Sequence, residues 1–233
     1  MKPRRQEYLL KEYGSWSVLA ASFLLGLGAG GGFAWRAIPL FFALGLLVNS
    51  KQALTKWTRR PGDRASLAIF LGHLFIAAIL LLSIFGSGIL MLLPLLVFPA
   101  AYLVAGKIAG EHFILTEVLG FALLSLAAVL AKFLLTGGLD VRLFLGVALY
   151  FSAGVFKIKI LLLKKTRDRI LAVLYLIFTA FVYRRLHIPL IVLLPLIDNL
   201  IVAAAPYRVK LRTTGWIEVA KSLAFLGLFL RYY

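Results

Sequence analysis

Residues 67–85 read LAIFLGHLFIAAILLLSIF, an apolar run broken only by Gly72, His73 and Ser83. It lacks the strict alternation of a barrel strand, and it is long enough to cross the hydrocarbon of a bilayer as a helix. Lipid offers the backbone no hydrogen-bond partners, so only helices or closed barrels can span it, and continuous runs of this kind select helices. Similar runs recur along the chain. Of its 233 residues 62% are hydrophobic, against about 45–50% in an ordinary soluble domain. A single aqueous core of this size cannot hide that excess. The expected fold is therefore all-α: one polytopic transmembrane bundle of about nine helices over residues 1–233.

The apolar windows place spans near 15–30, 37–49, 65–84, 89–106, 112–135, 143–156, 170–183, 188–205 and 215–230. A spanning helix needs about 20 residues, so the second, sixth and seventh are expected to extend into their flanks, the second as far as Trp57. Residues 1–14 form a basic, interfacial N-terminal segment. No small-residue cleavage site follows a short apolar region, so no removable signal peptide is expected.

Charge then sets the sidedness. The formal net charge is +17. In a soluble chain that would suggest nucleic acid, but here no nucleic-acid partner is expected, because cations hold loops on the cytoplasmic side beside anionic lipid. With the N-terminus inside, Lys51, Lys56, Arg59, Arg60 and Arg64 fall on one inner loop, and Lys157, Lys159, Lys164, Lys165, Arg167 and Arg169 on another. The outer segments hold only Arg36, Lys132, Arg142, Arg184, Arg185 and Arg231. The expectation is a multi-pass protein of the inner (cell) membrane, N-in and C-out, with the bilayer as its partner. The two most basic loops occupy similar places in two parts of the chain, which hints at a repeat of helices 1–4 and 5–8.

Few chemistry-bearing motifs are present. There is no cysteine, which excludes disulfides, thiolate metal sites and cysteine nucleophiles. The three histidines show no metal-ligand spacing and no G-x-S-x-G elbow occurs, so neither metal nor cofactor is expected. Gly26, Gly28 and Gly31 match G-x-G-x-x-G in form, but no strand precedes them. Close helix packing through Gly26/Gly30 and Gly28/Gly32, or a turn, is the better reading.

Ionisable groups at membrane depth are costly and draw attention to function. They are His73, Glu117, Lys132, Asp198 with Asn199, Glu218 and Lys221. Glu218 and Lys221, three apart, are placed to neutralise each other. Lys132 is placed to snorkel outward, and His73 to pack through a hydrogen bond. Glu117 has no opposite charge one turn away, so it either faces a wet cavity or bonds another helix. Asp198 and Asn199 follow Pro195, whose ring frees a backbone carbonyl, and are placed to cap or line a cavity.

Lys11-Glu12-Tyr13-Gly14-Ser15-Trp16 resembles the K-E-H-G-A-W opening of the YwiC-like family of bacterial membrane proteins, with Tyr13 for the usual histidine and Ser15 for alanine. Glu117-Val118-Leu119-Gly120, the stretch from Lys157 to Lys159 and Gly215-Trp216-Ile217-Glu218 are further similar pieces. That resemblance implies no activity. A wider resemblance is to UbiA-type prenyltransferases, nine-helix proteins with a cytoplasmic diphosphate site after the second and sixth helices. Asn49 matches the first asparagine of their motif and Arg59-Arg60-Pro61 resembles its Arg-Pro, but Ser50, Ala53 and Trp57 stand where the acids belong. Paired carboxylates would hold Mg²⁺ against a diphosphate; without them, an enzyme assignment stays open.

Three functional expectations follow. A prenyltransferase-related protein would bind an isoprenoid or anionic lipid (di)phosphate in a cytoplasm-facing cavity. Asn49, Lys51, Arg59, Arg60, Lys157 and Lys159 would meet the phosphate, with Glu12 and Glu117 as candidate proton carriers. A small-solute permease would instead line its path with Glu117, Asp198 and Glu218, and would be favoured by discontinuous helices. A membrane scaffold without substrate is a third reading.

Overall fold

The computed structural model describes residues 13–60, 62–205 and 211–233. Glu12 and almost all of the basic segment expected over 1–14 lie outside them. All regular structure in the described residues is helical. In order it comprises α1 (Tyr13–Ala29), α2 (Ala37–Arg59), α3 (Arg64–Phe85), a first 3-10 segment (Gly86–Leu96), α4 (Val97–Ala109), α5 (Ile114–Thr136), α6 (Val141–Leu163), α7 (Thr166–Arg185), a second 3-10 segment (Leu190–Leu196), α8 (Ile197–Ala204) and α9 (Leu211–Tyr232). As the apolar windows suggested, α2, α6 and α7 run past their hydrophobic cores into basic flanks.

Counted as uninterrupted stretches, the described residues hold eight helices rather than the nine expected. The third and fourth spans are one stretch, Arg64–Ala109, because the 3-10 segment joins them without a polar loop. The change of direction is made by Gly86, at φ +53, a backbone state that L side chains rarely adopt. Before it, Phe85 packs on Phe133 near the C-terminal end of α5. After it, Gly88 faces Phe133 while Gly106 faces Thr116, near the N-terminal end of α5. The chain therefore climbs through α3 and returns through the 3-10 segment and α4. A one-glycine reversal carries no cluster of turn residues, so the pattern of polar breaks could not locate it.

Five of the stretches are long and apolar enough to cross a membrane: α2, Arg64–Ala109, α5, α6 and Thr213–Tyr232. Gly14–Ala29 and Leu190–Ala204 are shorter apolar helices. In α7, Arg167, Asp168 and Arg169 at the start and Arg184 and Arg185 at the end shorten the apolar part.

Asp63 starts α3, its carboxylate accepting from the Ser66 N–H at 3.2 Å and the Ser66 hydroxyl at 2.6 Å. Asp140 does the same for α6, accepting from the Leu143 N–H at 2.9 Å. The bundle is organised on α5 and α6. Helix α1 lies along α5 through the glycine-rich stretch: a Cβ at Gly26 would sit 2.1 Å from the Ala128 carbonyl oxygen and one at Gly30 would meet Leu135, while a Cβ at Gly28 would meet Leu230 of α9. Gly31 and Gly32, both at positive φ, make the turn that follows. Packing and turn are thus both served, by different glycines.

Burial is uneven. The apolar window of α6 is 61% buried, against 11% for that of Arg64–Ala109. Tyr150 of α6 stacks on Phe225 of α9 at 3.6 Å between ring centroids and donates its hydroxyl to the Lys221 carbonyl. Tyr183 of α7 donates to the Gly146 carbonyl at 2.6 Å. By contrast, α3 packs mainly on α2 and turns Leu71, Phe75, Ile79 and Leu82 outward. An open apolar groove lined by Leu71, Gly72, Leu74, Phe75 and Ala78 runs along that outer face.

The order of elements also repeats. Three α-helices, a proline-bearing 3-10 segment and a short α-helix make up α1–α4, and the same series makes up α5–α8. Leu92-Leu93-Pro94-Leu95 enters α4 and Leu193-Leu194-Pro195-Leu196 enters α8. The sequence leading from α2 into α3 reads Arg59-Arg60-Pro61-Gly62-Asp63-Arg64, and that leading from α6 into α7 reads Lys164-Lys165-Thr166-Arg167-Asp168-Arg169.

Candidate functional site

Four charged side chains from three helices meet inside the C-terminal part of the bundle. Lys157 lies on α6, about 9 Å before its end at 1.5 Å per residue. Its neighbours Val155, Phe156 and Ile160 are buried, which draws the lysine into the packed interior with 1% of its side chain exposed. Asp198 comes from the first turn of α8, directly after the 3-10 segment that contains Pro195. Glu218 and Lys221 come from α9.

The Lys157 ammonium bonds Asp198 Oδ2 and, at 2.5 Å, Glu218 Oε1. The Lys221 ammonium reaches the same two oxygens, at 3.3 Å and 3.0 Å, and Asn199 Oδ1 at 2.5 Å. Asn199 is fixed by donating its Nδ2 to the Ala153 carbonyl at 3.1 Å. Each carboxylate oxygen is thus shared between two ammonium groups, and the charges of the four groups cancel. Removing one member would leave a charge of the opposite sign stranded in an apolar setting, the expensive way to disrupt a buried pair. The pairing of Glu218 with Lys221 was legible from their spacing. The arrival of Lys157 and Asp198 was not, because they stand 61 and 20 residues from Glu218 in sequence.

A second, wetter cluster lies at the end where α2 and α6 finish. Lys159 pairs with Glu117 at 3.0 Å and donates to the His112 carbonyl at 2.8 Å. His112 Nδ1 lies 3.7 Å from Glu117, and Arg59 lies 3.8 Å from Glu111. Glu117 is therefore bonded to another helix. The structure distributes the residues expected at a phosphate over separate partners. Lys157 goes to the four-charge network, Lys159 to Glu117, Arg59 to Glu111, and Lys51 lies 5.7 Å from the centre of the Tyr102 ring. Arg60 is exposed at the end of α2 and Asn49 is buried within it. His73 sits half-buried on α3, apart from both clusters, with Nδ1 lacking a hydrogen-bond partner.

At the opposite end of the bundle, Lys132 pairs with Asp140 at 2.5 Å, and Tyr233 donates its hydroxyl to the same carboxylate oxygen. Arg142 lies over the Tyr233 ring at 5.0 Å and donates to the His187 carbonyl at 3.0 Å. Lys132 thus closes a contact between α5, the α5–α6 loop and the end of α9, beyond the snorkelling expected of it. Burial works against the Asp140 charge, but the hydrogen bonds from Lys132, Tyr233 and the Leu143 N–H outweigh it and hold the carboxyl below its usual range.

The model of the family described as YwiC-like protein matches residues 9–132, more than half of the chain. The chain belongs to this YwiC-like family. No curated protein and no solved structure matches it. In this YwiC-like protein the matched region holds α1–α4 and most of α5, and includes Glu111, His112 and Glu117. Lys157, Asp198, Glu218 and Lys221 lie beyond it. The likeness to UbiA-type enzymes gains no match beyond its own residues, and Ser50 and Ala53, at two of the acid positions of that motif, are buried in α2.

Proposed function

We propose that this YwiC-like protein is a small-solute permease of the cell membrane, with Lys157, Asp198, Glu218 and Lys221 as the station where a solute or coupling ion is met. The observation that carries the reading is a balanced, shared charge network placed where an apolar segment is interrupted by a 3-10 turn and a proline. Interrupted hydrophobic segments at corresponding positions of two halves are what transporters use to expose polar groups at membrane depth. The Pro94 and Pro195 segments have that relation. Ionisable groups within a bundle belong by default to a solute or proton path. The cation bias of the loops favours an N-in, C-out orientation, with Arg59, Lys159 and the network nearer the cytoplasm.

The test is reconstitution of the full chain in liposomes and measurement of solute-driven charge movement across panels of small metabolites. Wild type gives a response that Asp198→Asn abolishes while its unfolding profile stays cooperative. Equal responses from both, or none from wild type, would overturn the reading.

A second reading keeps an anionic lipid or isoprenoid phosphate at the basic rim. Its support is that Arg59, Arg60, Lys164 and Lys165 are exposed, and such groups attract phosphate as point charges. Native mass spectrometry of wild type and of Arg59→Ala/Arg60→Ala checks it. Loss of a copurifying anionic lipid from the variant supports it, and identical lipid complements remove it.

A further inference from the structure

The permease reading leaves the sign of the solute undecided, and the burial of the four charged side chains decides it. Asp198 and Glu218 are 24% and 35% exposed, whereas Lys157 and Lys221 are 1% and 9% exposed. The accessible side of the network is therefore carboxylate, and the ammonium groups close it from behind. An anion approaching this station meets like charge first in a setting that screens poorly. A cation meets the two acids directly.

The structure also shows what such a cation would replace. The Lys221 ammonium is held by three side-chain oxygens, from Asp198, Asn199 and Glu218, across α8 and α9. This is an oxygen cage already filled by a tethered alkylammonium group. The backbone beneath it is anchored, since Tyr150 donates to the Lys221 carbonyl at 2.9 Å. Exchange therefore requires only that the flexible stem swing away. Withdrawal of the Lys221 ammonium takes one positive charge out of the cage. A single monocation restores the balance.

We infer that the station takes a small monocation, an ammonium group being the best fit, which displaces the side chain of Lys221 from the cage of Asp198, Asn199 and Glu218. This rests on the network being a solute station, and the test separates the two ideas.

The probes are methylammonium chloride, N-methylglucamine methanesulfonate and, as a bulky reference, N-methylglucamine chloride, at one ionic strength. In Lys221→Met, which empties the cage but keeps the length of the side chain, methylammonium raises the unfolding midpoint by roughly 3 °C over the reference. Adding Asp198→Asn removes the rise, and wild type, whose cage is filled, shows none. An unresponsive Lys221→Met, or one stabilised by methanesulfonate, overturns the inference. Should Lys221→Met not fold, wild-type liposomes with an inside-negative potential decide it. Labelled methylammonium enters them and fails to enter with Asp198→Asn, whereas entry of neither ion, or of methanesulfonate alone when the potential is reversed, overturns the inference. Methylammonium binding without flux keeps the cation station and removes the permease. Flux of an anion keeps the permease and removes the cation.

Discussion

Helices α4 and α8 begin alike and end in different company. Both follow a Leu-Leu-Pro-Leu sequence inside a 3-10 segment. After Pro94 the chain continues Leu95-Leu96-Val97-Phe98; after Pro195 it continues Leu196-Ile197-Asp198-Asn199. Val97 is 60% exposed on the outer surface and Phe98 packs its ring against Phe144 at 4.7 Å. At the corresponding places, Asp198 enters the charge network and Asn199 is buried beneath it. The same interruption serves as a joint in a lipid-facing hairpin in one half and as a holder of ionised groups in the other. Proline and 3-10 geometry therefore supply the break, and the two residues that follow decide what the break is for.

The sharpest way to break the comparison is Lys157→Met. It removes one of the two ammonium groups that bridge Asp198 and Glu218, and a destabilisation of roughly 3–5 kcal/mol is expected in equilibrium unfolding in detergent. Combining it with Glu218→Gln is expected to recover part of that loss, because the remaining Asp198 and Lys221 again match. A double-mutant cycle with no coupling would show that the four groups do not act as a unit.

Copying the second half into the first is the next test. Val97→Asp sets a carboxylate on the outward side of α4. Charged groups within a span cost roughly 2.5–3.5 kcal/mol on insertion scales, so the variant is expected to insert poorly in a glycosylation-mapping assay. Insertion as efficient as wild type would mean that α4 has access to water or to a partner.

The same contrast can be sharpened with glycines. Gly26→Ala sets a methyl group against the Ala128 backbone and is expected to cost about 1–3 kcal/mol. Gly72→Ala on the exposed α3, where an added Cβ meets nothing within 4 Å, is expected to fall within about 0.5 kcal/mol of wild type. The smallest effect belongs to Asp140. Its carboxyl is held down in the folded state, so its contribution is present above the unfolded value and fades only as pH falls through the lower folded one. Unfolding midpoints are expected to be flat for this group from pH 7 to 5, and Asp140→Asn is expected to remove a loss that wild type shows only in stronger acid.

The helical, membrane-crossing character of the chain was legible because length and apolarity of a run are local properties. So was the packing of α1 through Gly26 and Gly30, since small residues at a spacing of four define a close-approach face, whereas Gly32, expected to pack with Gly28, lies in the turn with nothing within 4 Å of an added Cβ. The reversal at Gly86 was not, because a single glycine at positive φ replaces the polar turn that marks most helix ends. The candidate site was half legible. Asp198, Asn199, Glu218 and Lys221 stood out as polar residues in apolar windows. In sequence Lys157 falls among the loop cations, since the apolar window of α6 closes at Phe156 while the helix continues to Leu163. Only the helix's packed face distinguishes it from Lys159, two residues on, which pairs with Glu117 instead.

The wide sequence separation within the charge network also has a consequence for biosynthesis. Lys157 precedes its partners by 41 and 61 residues. At about 5–20 residues per second, α6 leaves the ribosome roughly 3–12 s before the last of these partners is made. During that interval Lys157 has neither Asp198 nor Glu218 to pair with. Lys157 stands about 9 Å from the end of α6, so its flexible stem reaches water at the interface until α8 and α9 bring the acids that hold the ammonium inside the bundle.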